Sequence, residues 1–140
     1  TPLQSWHVYL QPYLKNSGIL KCPSYPAAAQ GYGWNYQNFG YYSGGSGTFG
    51  NNPGRALAQV PVPADTIIIG DNPDTGMWGA GGIYAYGPTQ MDAAGAAANP
   101  GNASARHSEG GNYGFVDGHV KWLAAQAAAS QDRLWTVAED

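Results

Sequence analysis

A chain of 140 residues with 43% apolar composition is the size of one globular domain and can bury a core, which excludes a disordered chain. Its 6 basic and 9 acidic residues leave a net charge of -3 with Lys and Arg scattered, so there is no electrostatic footprint for nucleic acid or anionic lipid. No apolar run approaches the roughly 18 residues of a membrane helix, so direct membrane insertion by this chain is not expected.

In chain order, residues 1–26 come first. Leu3, Trp6, Leu10, Tyr13 and Leu14 recur at spacings of three and four, which predicts a short amphipathic helix that Pro12 ends or kinks. Lys15 to Gly18 reads as its exit, and Ile19-Leu20 as an apolar step into a turn at Cys22-Pro23-Ser24. Residues 27–104 are expected to hold strands separated by two long loops. Tyr32 to Tyr36 alternates as a strand would, and a Gly- and Tyr-rich loop follows. Pro61 and Pro63 lead into Thr66 to Ile69, the strongest central strand in the sequence. A second loop, small and polar, runs to Pro100, and loops this long usually face something. In 105–140, Asn112 to Val116 and His119 to Leu123 flank Asp117-Gly118, the pattern of a hairpin with a type I′ turn. An Ala- and Gln-rich helix then precedes an apolar anchor of Leu134, Trp135 and Val137.

The charged fraction is only 11%, beside 21 Gly, 10 Pro, 10 Tyr and 5 Trp. A cytoplasmic enzyme of this size carries about twice that charge, so the texture suggests an extracellular or cell-surface protein. The lone Cys22 makes no internal disulfide; it is either a buried thiol or half of a bridge to a segment outside this chain.

Chemical motifs are scarce. No nucleophile elbow, P-loop or dinucleotide fingerprint is present, and no HExxH or CxxC. His107, Asp117 and His119, with Glu109 nearby, are the residue types of a metal or acid-base site. Their spacing favours a structural reading, in which His107 ends the loop and hydrogen-bonds into the hairpin while Asp117-Gly118 makes the turn. Asp71, Asn72, Asp74 and Thr75 place hard oxygen donors after the central strand, so calcium at Asp71 and Asp74 is the ion this loop admits, beside a plain Asx turn. No other cofactor is expected. Trp34, Tyr36, Tyr41 and Tyr42 are candidates for a subunit interface or for a glycan-stacking platform. Asn102-Ala103-Ser104 is a glycosylation sequon in cells with that machinery.

His107, nine residues, then Asp117-Gly118 and His119 to Leu123 resembles the prepilin-type processing-associated H-X9-DG domain, the C-terminal part of bacterial pseudopilin-like proteins. LQPYLKNSGILKCPS, GYGWNY and VPVPADTIIIGD resemble further stretches of that family, in the family's order. The resemblance implies an α+β, pilin-like globular domain spanning 1–140. In it a small antiparallel sheet with long Gly/Tyr-rich loops and short helices packs on a long N-terminal pilin helix, which this chain lacks. It implies a non-catalytic subunit of an extracellular pilus or secretion pseudopilus, periplasmic in the latter case. The partners would be copies of itself, through loops 37–54 and 76–104, and a hydrophobic helix that is removed or supplied separately. It also implies a cysteine partner for Cys22 in that missing half. The alternative from the residues alone is a cell-surface module that binds glycan or another ligand through exposed aromatics, stabilised by calcium.

Overall fold

The computed structural model describes residues 6–26, 31–40, 54–71 and 105–137. Their architecture is α+β: a four-stranded antiparallel sheet in the order β1-β2-β3-β4, with short helices around it. The strands are β1 (Tyr32–Trp34), β2 (Ile67–Asp71), β3 (Gly110–Phe115) and β4 (Val120–Ala124). The helices are α1 (Trp6–Leu10), α2 (Tyr36–Phe39) and α3 (Ala125–Ser130). Among the described residues, no helix is long and apolar enough to cross a membrane.

The expected central strand is an internal one: β2 pairs with β1 on one side and with β3 on the other. Its β-branched residues suit a pleated surface buried on both sides. One face carries the main core, where Ile67, Tyr113 and Phe115 pack against Ala128, Leu134 and Trp135. Burying side chains of this size stabilises by about 1.5–3 kcal/mol each. The Ala-rich tail therefore does what its composition suggests, since small α3 residues bring the chain close to the sheet and Leu134 and Trp135 fill the space beyond. Trp135 donates its indole N–H to Ala128 O at 2.9 Å and meets the Tyr113 ring edge-on at 5.8 Å. A smaller cluster gathers Phe39, Val60 and Val137, with Trp34 packed against it.

Two expectations are corrected, and a third is met without the burial that its stripe suggests. The strand expected over Tyr32 to Tyr36 stops at Trp34, because Asn35 turns inward and is fully buried. Its side-chain amide donates to Ile67 O at 2.8 Å and to Trp135 O at 3.0 Å, tying β2 to the tail. The Asn35 backbone N–H still reaches β2, donating to Ile68 O at 3.0 Å, and α2 begins at the next residue. The N-terminal stripe forms the expected short helix, α1, which gives way at Pro12 to a 3-10 turn over Gln11–Tyr13, because proline lacks the N–H that α-helix would require. None of its described residues is buried, and Tyr13 is 82% exposed.

The last correction concerns the hairpin. Its turn is not type I′: Gly118 has φ +96°, but Asp117 does not have positive φ. Gly118 N donates to Phe115 O and Phe115 N to His119 O, both at 2.9 Å, which leaves a three-residue loop of Val116, Asp117 and Gly118. This is a turn followed by a glycine bulge, which needs one left-handed residue rather than two. The Asp117 carboxylate fits there because it accepts from the His119 backbone N–H at 3.1 Å.

Candidate functional site

At the end of the sheet away from that turn, three segments converge. Gly70 lies under the Tyr113 ring, so strand alternation puts Asp71 on the opposite face, beside Asn112. Asn112 donates its backbone N–H to Asp71 Oδ2 at 2.6 Å and its side-chain amide to the same oxygen at 3.1 Å. The other carboxylate oxygen, Oδ1, is buried and accepts no hydrogen bond; it points toward His107 Nε2, 3.4 Å away.

His107 is aimed by a tight two-residue turn. His107 N donates to Gly110 O at 3.1 Å and Gly110 N to His107 O at 3.3 Å. Ser108 and Glu109 between them both have positive φ, 56° and 62°. This is the type I′ geometry expected elsewhere, built without glycine and at a cost of about 1–2 kcal/mol per residue. The turn is held from outside: Trp122 donates its indole N–H to His107 O at 2.7 Å, and Ala125 N donates to Glu109 O at 3.0 Å. Gly110 is required by close approach, since a Cβ there would lie 2.3 Å from Leu123 O and 2.4 Å from the Trp122 ring.

Cys22 comes from the N-terminal segment. Tyr25 N donates to Cys22 O at 3.0 Å, closing a turn, and Gly31 N donates to Leu20 O at 2.8 Å. A Cβ on Gly31 would fall 2.5 Å from Cys22 N, so the entry to β1 presses directly on the cysteine. The thiol is buried and free of any disulfide, and its Sγ lies 3.4 Å from His107 Nε2. Around it, Arg106 stands 5.2 Å over the Tyr25 ring and donates to Gly31 O at 3.5 Å. The Tyr32 phenol is pushed above its ordinary pKa by burial, and further by Asp71 and Cys22, with Arg106 opposing.

One ligand atom each from Cys22, Asp71 and His107 lies within 4.8 Å of the other two. The thiol and the carboxylate both approach Nε2, the same imidazole nitrogen. A nucleophilic relay has the thiol at one ring nitrogen and the orienting carboxylate at the other, so this arrangement is not one. Sulfur, nitrogen and oxygen donors converging on one point are instead the ligand types of a transition metal.

The residues singled out in the sequence scatter. His107 is here, but Asp117, Gly118 and His119 lie at the far end of β3, whose six residues span about 20 Å. Asp117 pairs with His119 Nδ1 at 2.7 Å, and the His119 ring stacks on Phe115. The backbone and side chain of His119 hold the Asp117 carboxyl below its ordinary pKa. A metal or hydrolase site built on His107, Asp117 and His119 is therefore not assembled. Asp71 keeps a thiol, an imidazole and an amide as neighbours, rather than the oxygen set that calcium takes; Asp74 lies outside the described residues. Trp34 is half-buried, edge-on to Phe39 at 6.1 Å, and donates to Gly40 O at 3.2 Å, so its ring serves local packing. Tyr41, Tyr42, most of loop 37–54, all of loop 76–104 and the sequon also lie outside the described residues, and the Tyr36 side chain is not described.

The cluster joins three residues that the sequence offers singly, for a bridge, a calcium loop and a hairpin. No spacing motif could have joined them, since 49 and 36 positions separate them along the chain (71 - 22 and 107 - 71). The chain matches no known family model, no curated protein and no solved structure.

Proposed function

We propose that this chain is a non-catalytic structural subunit of an extracytoplasmic pilus-like or pseudopilus filament, with a pilin-like globular domain that works through packing against copies of itself. The observation that carries this reading is the state of β4. It is the outermost strand of the sheet, and among the described residues no strand pairs with its outer edge. Val120 is 71% exposed and Trp122 46% exposed on it, with Lys121 the only charge in the strand. An apolar open edge is a template for pairing with another chain, which monomeric proteins normally blunt with charge, proline or a covering loop. The hairpin that presents it is the stretch carrying the H-X9-DG resemblance.

Low overall charge supports the same reading, because stacked subunits repel less, and exposed Tyr and Trp supply contact energy at half-wet interfaces. The glycan-binding alternative gains nothing from Trp34, whose ring is engaged in the fold.

Val120→Asp tests the assignment. The side chain is exposed, so the monomer is expected to keep its fold within about 0.5 kcal/mol by thermal melting. Filaments made by cells carrying the variant are expected to fall to a small fraction of the wild-type count in electron micrographs. Wild-type filament abundance with Val120→Asp would refute assembly through this strand.

A further inference from the structure

We propose that Cys22, Asp71 and His107 form a binding site for a thiophilic divalent metal, zinc above all, which staples the N-terminal segment to the sheet. This inference rests on the site alone and stands whether or not the chain assembles into filaments.

Zinc bonds of about 2.3 Å to sulfur and 2.0–2.2 Å to imidazole and carboxylate, at tetrahedral angles, set the ligand atoms roughly 3.4–3.6 Å apart. The Sγ to Nε2 and Nε2 to Oδ1 separations are each 3.4 Å, and all three atoms lie within 4.8 Å of one another. A second, independent observation points to a ligand. Asp71 is 1% exposed, yet its Oδ1, aimed into the cluster, accepts no hydrogen bond. Its ionisable neighbour, His107 Nε2, stands at a long 3.4 Å, so the buried oxygen lacks a close partner, which is costly, and a cation between the two supplies one.

The supporting groups are those a metal site needs. Asn112 fixes the Asp71 carboxylate through Oδ2 and leaves Oδ1 to coordinate. The His107 turn, with its two left-handed residues, is clamped by Trp122 and Ala125, so the imidazole is held before metal arrives. Thiolate with imidazole selects zinc and its analogues over calcium or magnesium. Three protein ligands leave the fourth tetrahedral position to solvent. Since the ligands come from the segment before β1, the end of β2 and the turn before β3, occupancy ties together parts of the chain that are remote in sequence.

The test uses the purified protein, reduced and stripped of metal by chelator. Cobalt(II) titration is expected to give a thiolate-to-cobalt charge-transfer band and tetrahedral visible bands that saturate at one equivalent and are displaced by zinc. Zinc at a hundredfold excess over its Kd is expected to raise Tm by about 10 °C. Cys22→Ser and His107→Gln should each remove the band and most of the Tm shift. The cobalt spectrum of the unsubstituted protein decides the matter even if both variants fail to fold. Absence of the thiolate band, zinc-independent melting, or intact-mass evidence that Cys22 is oxidised to a partner in native material would each overturn the site.

Discussion

Gly118 shows how a single backbone angle fixes the hairpin. It has φ +96°, and a Cβ placed on it would meet nothing within 4 Å. The penalty for Gly118→Ala is therefore conformational alone, about 1 kcal/mol, and should appear as a lower denaturation midpoint with an unchanged slope. A larger loss, or a changed slope, would show that more than the turn depends on this residue. The Asp-Gly pair correctly marks a reversal in the sequence, but it cannot say whether one or both residues are left-handed. The true two-residue turn, at Ser108-Glu109, has no compositional signal. Ser and Glu are held at positive φ only because Trp122 and Ala125 clamp the turn from outside, and such contacts are invisible to local reading.

At the scale of elements, β2 is legible as a β-branched run after a proline lead-in, and β3 and β4 from the Asp-Gly reversal between them, all of which are local properties. β1 is half legible. Its Tyr-Gly-Trp start alternates properly, whereas its end depends on Asn35 finding carbonyls on β2 and on the C-terminal tail. The α1 stripe has the right period but no buried residue, so periodicity there reports a helix without reporting what it packs on. Sheet packing also explains a glycine in a β-branched strand. A Cβ on Gly70 would lie 2.3 Å from the Tyr113 ring, across the β2–β3 pair. Gly70→Ala is expected to destabilise by about 1–3 kcal/mol through overpacking. Tyr113→Leu has its own cost, but in a double-mutant cycle it should recover part of the Gly70→Ala loss. Additive effects in chemical denaturation would contradict this account of the contact.

Across the whole molecule, the H-X9-DG spacing spans β3 from one end to the other. His107 stands at the cluster with Cys22 and Asp71, and Asp117-Gly118 stands at the opposite turn. The spacing thus measures the length of one strand with a turn at each end, which is a structural rather than a catalytic reason for its residues. The convergence of Cys22, Asp71 and His107 was not legible, because it joins three segments remote in sequence that only the tertiary fold brings together. The α+β class and the antiparallel sheet were expected from the family resemblance, and the strand-sized runs around an Asp-Gly reversal agree with them. In the proposed filament, the outer edge of β4, an apolar strand without a strand partner among the described residues, is where another copy would pair.

The filament assignment is tested most directly by electron microscopy of native extracellular and cell-surface material, combined with intact-mass analysis of the imaged fraction. The expected result is ordered filaments that contain this chain in stoichiometric amount, alone or with a separate hydrophobic helix. A monodisperse monomer in that material, with no filament containing it, would contradict the account.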